Sequence, residues 1–135
     1  MPSFDAIQTG DKANVEKTVT EDDVRVFARI SGDTNPVHLD EEYAKGTIFR
    51  GRVAHGMLTA ALISTVLGTK LPGPGTIYLH QTLKFLAPVR LGDTVLAEVE
   101  VLGKDSEKRR LRLATRCRVQ DKVVLEGEAL VQVPP

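Results

Sequence analysis

The chain has 135 residues, of which 41% are hydrophobic and 27% charged, and its 18 basic and 18 acidic side chains leave no formal net charge. This length suits one domain with one core over residues 1–135, and the composition is ordinary for a soluble globular protein. Nucleic-acid binding normally shows as a basic excess, so the balanced charge argues against a nucleic-acid partner.

Targeting and membrane signals are missing from the sequence pattern. The first twenty residues carry three acids and no apolar run, which does not fit a signal peptide. The longest apolar segment, residues 57–67, is interrupted by hydroxyl side chains and is too short to span a bilayer. The single cysteine, Cys117, excludes a disulfide within the chain and a cysteine-rich zinc site. We therefore expect a reduced, cytoplasmic compartment and no membrane partner.

The first third of the chain reads as a strand followed by helices. Alternation over residues 13–19 predicts a strand. Thr20, with an acid three positions later, imitates a capping box and predicts a helix start, and Gly32 can end that helix. The segment 31–40, SGDTNPVHLD, is predicted to be a loop, and a short helix is expected over residues 41–45.

The remainder predicts one buried helix and then an antiparallel sheet. The helix over residues 57–69 is apolar around most of its circumference, which is typical of a buried helix. Alternating apolar residues then predict strands over residues 77–85, 95–101, 111–119 and 123–133. The simplest packing wraps the sheet around the central helix, which is the α+β arrangement called the hot-dog fold. Since one helix cannot cover a long sheet, we expect a homodimer.

The segment SGDTNPVHLD places an acid and an imidazole five positions apart. Pro36 fixes its own φ and disfavours helical angles at Asn35, whose side chain can hydrogen-bond to its own backbone. A stiff segment would hold Asp33 and His38 in one geometry, as general acid–base catalysis requires. The alternative is structural: Asp33 as an Asx turn or helix-end cap, and His38 as a partly buried histidine without chemistry.

Three motifs together resemble a known family. GDTNPVHLD near residue 35, RVAHGM at residues 52–57 and LKFLAPVRLGDTV at residues 83–95 are similar to the MaoC-like hydratases and dehydratases, and within them to the (R)-specific enoyl-CoA hydratases. The resemblance runs from about Val24 to the C-terminus. It implies reversible addition of water to a trans-2-enoyl-CoA, giving (R)-3-hydroxyacyl-CoA. Coenzyme A is then part of the substrate, and no metal or other cofactor is needed.

The resemblance also implies roles for four positions. Asp33 and His38 fall on the two catalytic positions, and Gly56 on the backbone donor to the thioester oxygen. Ser64 matches a helix serine that supports the catalytic pair. A donor at Gly56 makes physical sense, because the first amide of a helix lacks a partner and the helix dipole favours an anion there.

Other residues leave two readings open. Ser64 supports the pair or bonds back to the Ala60 carbonyl. Leu67 lines an acyl pocket or packs in the core. His55 contacts substrate or, as we favour, holds the segment before the central helix. The arginines of residues 110–118 either contact coenzyme A phosphates or form a solvated face of the sheet, and we favour the solvated face. Cys117 is expected in the core.

Three other functions compete with enoyl-CoA hydration. The first is dehydration of 3-hydroxyacyl groups carried on acyl carrier protein. The second is an acyl-CoA thioesterase, since one fold supports several chemistries. The third is a catalytically silent acyl-CoA-binding module, against which the intact pair of Asp33 and His38 argues.

Overall fold

The computed structural model describes residues 3–135. Within them, a 3₁₀ turn (Phe4–Ala6) precedes four helices and six strands. The helices are α1 (Glu21–Ser31), α2 (Pro36–Leu39), α3 (Glu41–Lys45) and α4 (Gly56–Thr69). The strands are β1 (Lys12–Thr18), β2 (Ile77–Gln81), β3 (Lys84–Phe85), β4 (Thr94–Asp105), β5 (Arg110–Val119) and β6 (Lys122–Gln132). Across this described part, none of the helices has the length and hydropathy needed to cross a bilayer.

The strands form one antiparallel sheet that wraps around α4. Its order is β1-β4-β5-β6-β2, and β3 pairs with β6 beside β2. Helix α4 packs mainly on β1, β4 and β5. The side chains that α4 and the sheet turn towards each other are excluded from water, at 0–1% exposure (Ile63, Val66, Leu67, Val95, Ala97, Val99, Val101, Leu111, Leu113 and Cys117). The predicted hot-dog arrangement is confirmed, and its core lies between the helix and the middle of the sheet.

Local signals explain where α1 begins and ends. The Thr20 hydroxyl accepts the Asp23 amide at 3.1 Å, and the Asp23 carboxylate accepts the Thr20 amide at 2.9 Å, which completes the capping box. At the other end, Gly32 takes a left-handed φ of 79° and donates its amide to the Ala28 carbonyl. This turn ends the helix directly before Asp33 and so sets the position of that carboxylate.

Two sequence predictions need correction. The segment 31–40 is not a loop throughout, because residues Pro36–Leu39 form α2. Proline is favoured at the first helical position, and the Asn35 side chain caps the helix by accepting the Val37 amide at 3.2 Å. His38 therefore projects from a short helix, which fixes its direction more firmly than a loop would.

The second correction concerns residues 77–85, which form two strands instead of one. Pairing with β6 shifts register between Tyr78 and His80, and the chain breaks before β3. The backbone of Thr82 comes so close to Gly127 of β6 that a Cβ on Gly127 would overlap the Thr82 carbonyl oxygen. The interruption therefore depends on a glycine in the neighbouring strand.

This contact gives a stability prediction. Gly127→Ala is expected to destabilise the fold by about 1–3 kcal/mol, because two backbones must separate to admit the methyl group. Urea denaturation monitored by circular dichroism would measure the change. Gly103→Ala is the matched control, since that strand glycine has only the end of an arginine side chain within 4 Å, at 3.5 Å. Equal stability of the two variants would contradict the prediction.

Candidate active site

Three ionisable side chains converge where α1, α2 and α4 meet. One nitrogen or oxygen atom from each of Asp33, His38 and His55 lies within 4.8 Å of the other two. Asp33 is exposed, His38 is half-buried and His55 is only 2% exposed. The acid and the imidazole that the sequence singled out are thus close together, with a second imidazole behind them.

His38 is held at both its ring and its backbone. Its Nδ1 lies 2.8 Å from the Val53 carbonyl oxygen, and its own carbonyl accepts a hydrogen bond from Arg52 Nε at 2.7 Å. Because a carbonyl oxygen can only accept, the neutral ring carries its proton on Nδ1. The lone pair on Nε2 is then the basic site of His38.

Asp33 does form the Asx turn that the structural alternative predicted. Its Oδ1 accepts the Asn35 amide at 3.2 Å, and its own amide donates to the Ser31 hydroxyl at 3.1 Å. The Ser31 hydroxyl donates in turn to the Phe27 carbonyl at 2.7 Å. These bonds fix the carboxylate while leaving Oδ2 for another partner, so the turn and a chemical role are compatible.

A cavity of about 390 Å³ opens beside His38. Its walls come from the α2 region, the start of α4, β3 and the segment that follows it. They include Asn35, His38, Gly56, Thr59, Phe85 and Val89. The lining is mainly apolar with a few polar groups, which is the usual character of a small-molecule site. Asp33 is not part of this wall, although its carboxylate lies within 4.8 Å of a ring nitrogen of His38.

Gly56 is the first residue of α4 and lines the same cavity. The amide of such a residue has no acceptor inside its helix, and the preceding His55 provides no side-chain cap. A Cβ at Gly56 would lie 2.7 Å from Cε1 of Phe85. The missing side chain therefore gives the Phe85 ring room beside the start of the helix, where Gly56 itself stays exposed.

Ser64 and Leu67 do not join this cluster within one chain. Ser64 lies on the exposed face of α4, eight residues or about 12 Å along the helix from Gly56. Among residues 3–135, it makes no hydrogen bond to the Ala60 carbonyl or to any of the three clustered side chains. Leu67 is 1% exposed and packs in the core, as the alternative for that residue predicted, and it is not part of the cavity wall.

Two arginines of β5 form ion pairs, and the cysteine lies in the core. Arg112 pairs with Glu128 at 3.1 Å and Arg116 with Glu98 at 3.7 Å, both on the outer face of the sheet. Cys117 is fully buried, and burial raises the pKa of its thiol to about 12. A thiol with that pKa is protonated at neutral pH and is a poor nucleophile.

The pH dependence of activity is expected to follow His38. Burial lowers the pKa of His38 below 6.5, the charge of His55 lowers it further, and the Val53 hydrogen bond and Asp33 oppose the shift. The ring then stays neutral at pH values where an ordinary histidine is half-protonated. We expect kcat/KM to fall as the pH is lowered, with a midpoint below pH 6.5. A midpoint above pH 6.5 that is present in the wild type and absent in His38→Gln would contradict this.

Sequence reasoning missed three residues around the site. The Arg52 guanidinium links the Glu21 carboxylate, at 2.6 Å, to the His38 carbonyl, and its hydrogen bond to Glu21 lowers the pKa of that acid. Thr59 is 2% exposed, lines the cavity and has no hydrogen-bond partner for its hydroxyl among the described residues. Phe85 covers Gly56. Arg52 and Phe85 stand inside the motifs RVAHGM and LKFLAPVRLGDTV, but only tertiary contacts show what they do.

The fold and the cluster together define a class: a hot-dog domain with a carboxylate and imidazoles next to the first amide of its central helix. Residues 3–123 match the family described as MaoC like domain. The chain belongs to the MaoC-like family.

Named relatives are similar over nearly the whole chain. An (R)-specific enoyl-CoA hydratase of Rhodospirillum rubrum is 55% identical over 131 residues, which is 97% of this chain and 91% of that protein. A 3-hydroxybutyryl-CoA dehydratase of Methylorubrum extorquens is 53% identical, over 97% of this chain and 83% of that protein. The unliganded R-hydratase PhaJ1 of Pseudomonas aeruginosa superimposes with a TM-score of 0.92 at 51% identity, covering 97% of this chain and 84% of that one.

Proposed function

We propose that this protein is an (R)-specific enoyl-CoA hydratase, which adds water reversibly to a trans-2-enoyl-CoA to give (R)-3-hydroxyacyl-CoA. The observation that carries the proposal is the placement of Asp33 and His38 beside a cavity that Gly56 also lines. Relatives named as an (R)-specific enoyl-CoA hydratase and a 3-hydroxybutyryl-CoA dehydratase, at 53–55% identity, support the same reaction in its two directions.

The reaction needs three functions. As the oxygen of water bonds to C3, one group must remove a proton from that water. The electron pair of the C2–C3 π bond is displaced towards C2, and a second group must deliver a proton there. Negative charge builds on the thioester oxygen between these events. We assign the two proton transfers to Asp33 and His38, each typically worth about 10²–10⁴-fold in rate.

We assign stabilisation of the thioester oxygen to the Gly56 amide. A preorganised donor facing developing negative charge contributes about 3–4 kcal/mol in comparable sites. The start of α4 adds the favourable end of a helix dipole. Since these residues cover each chemical requirement, we propose that no metal or further cofactor takes part, and that coenzyme A enters only as part of the substrate. A cytoplasmic location stays a prediction, which cell fractionation would test.

We also propose that the active protein is a homodimer. Strand β2 is an edge strand, and Ile77, Tyr78 and Leu79 are each 40–44% exposed along it. Met57 on α4 is 55% exposed, and Ser64 lies on the exposed side of the same helix. An uncovered apolar edge of this kind invites pairing with a second copy. Sedimentation velocity would test this, and a monomer at micromolar concentration would contradict it.

The function is tested by a hydration assay. Purified protein is mixed with crotonyl-CoA and longer trans-2-enoyl-CoA esters, loss of the conjugated chromophore is followed, and the product is resolved on a chiral column. We expect (R)-3-hydroxyacyl-CoA with no release of free thiol. Release of coenzyme A would favour the thioesterase alternative. Faster turnover on carrier-protein thioesters would favour the dehydratase alternative, and binding without turnover would favour the silent module.

A further inference from the structure

The ring of His55 is enclosed between two other rings. It stacks on His38 with ring centroids 3.9 Å apart and planes inclined by 30°, and its centroid lies 4.8 Å from that of Phe27. At 2% exposure it is the most buried member of the acidic and imidazole cluster. His55 therefore covers one face of the His38 imidazole and keeps water away from it.

His55 also holds the backbone at Asp33. Its Nε2 lies 2.9 Å from the Asp33 carbonyl oxygen, so this nitrogen carries the proton and donates it. The other nitrogen, Nδ1, is buried and has no partner among residues 3–135. His55 thus acts on its neighbours through the shape of its ring and its one N–H donor.

We propose that His55 is a positioning residue for the acid–imidazole pair: its Nε2–H fixes the backbone of Asp33 while its ring fixes and shields the imidazole of His38. The link to catalysis rests on the proposed hydratase function, but the positioning itself does not. His55 follows Ala54 in the segment directly before α4, so the start of the central helix sets the spacing between the two groups. Small errors in such spacing are costly to rate.

Other charged groups near His38 are few. Asp33 and His55 are the ionisable side chains that act on its ring. The Arg52 guanidinium bonds to the His38 carbonyl and is paired with Glu21. His55→Gln keeps a donor for the Asp33 carbonyl and leaves the Arg52–Glu21 pair in place, so a change in His38 titration in that variant reports on the stacked ring.

Two substitutions separate the two actions of His55. His55→Gln keeps a donor near the position of Nε2 and loses the stacked ring. His55→Phe keeps the ring and loses the donor. We expect His55→Phe to lower kcat by about 10²-fold with little change in KM, because Asp33 is no longer held. We expect His55→Gln to lower kcat less, and to move the acid midpoint of the pH profile upward because His38 becomes hydrated.

The same experiment includes a test that needs no activity. Nitrogen-15 NMR of the His38 imidazole should show a higher titration midpoint in His55→Gln than in wild type and His55→Phe. Phe27→Leu, which touches His55 from its other face, controls for general loosening and should leave the midpoint unchanged. The proposal would be overturned if both His55 variants, after correction for the folded fraction, kept the wild-type kcat and the wild-type titration midpoint of His38.

Failure of the two proposals can be told apart. If wild-type protein hydrates no enoyl-CoA, the proposed function fails while the NMR midpoint still decides the role of His55. If His55→Phe does not fold, His55→Gln decides alone: an unchanged His38 midpoint there overturns the proposal, and an upward shift supports it.

Discussion

Asp33→Asn and His38→Gln are each expected to lower kcat for hydration of crotonyl-CoA by about 10²–10⁴-fold, with the fold intact. Asparagine keeps an oxygen that can accept the Asn35 amide, so the Asx turn survives while the basic carboxylate is lost. Glutamine has no basic nitrogen, and because its amide falls near the position of Nε2, the hydrogen bond from Nδ1 to the Val53 carbonyl is lost as well. Steady-state kinetics and circular dichroism on the purified variants would measure both effects.

Asp40→Asn is the matched control for the acid. Asp40 caps α3 by accepting the Tyr43 amide at 3.1 Å, and asparagine caps helices about equally well. This variant repeats the same chemical change on an exposed residue at a neighbouring helix start. It should leave turnover near that of wild type. If Asp33→Asn or His38→Gln behaved like this control, the role assigned to that residue would be wrong.

Gly56→Ala is expected to lower kcat/KM by about 10²–10³-fold without destabilising the protein. On the proposed role of the Gly56 amide, a methyl group at this position would crowd the approach of the thioester oxygen. Alanine is a good residue for a helix, and the closest atoms that the methyl would meet belong to the Phe85 ring, which is 53% exposed and can turn away. Kinetics and thermal unfolding together would separate the two effects.

A double variant shows which contact causes the loss. In Gly56→Ala/Phe85→Leu the smaller side chain removes the steric conflict between the new methyl group and the ring. We expect activity to remain low, because the methyl group itself blocks the amide. Recovery to the level of Phe85→Leu alone would mean that a displaced Phe85 ring, not the loss of access to the amide, had closed the site.

Much of the fold follows from local sequence signals. Strict alternation in β4 and β5 placed Val99 and Leu113 on the buried face, where both are 0% exposed. Thr20 and Gly32 predicted the two ends of α1, and both act as expected. The nearly uniform apolarity of α4 predicted the central helix. These features were predictable because each depends on residues within a turn or two of one another.

Of the two errors in the fold, one arises where distant segments meet and the other from a local cap. The break between β2 and β3 depends on Gly127, more than forty residues further on, and α2 forms where proline and the Asn35 cap outweigh the loop preference of the segment. The closeness of Asp33 and His38 was predictable from one stiff segment. Their attachment to the residues before α4, through Arg52, Val53 and His55, was not, since it depends on how the chain returns after α3.

The residues of the proposed active site and the opposite wall of the cavity come from separate parts of the gene. Asp33, His38, His55 and Gly56 fall in one continuous stretch, whereas the facing wall comes from residues 85–89 and 124–125. A single recombination crossover between residues 60 and 84 would therefore join the proposed catalytic groups and one cavity wall of one parent to the facing wall of another. Chimaeras of family members made at that boundary should differ from both parents in preferred acyl length, because each parent contributes one wall.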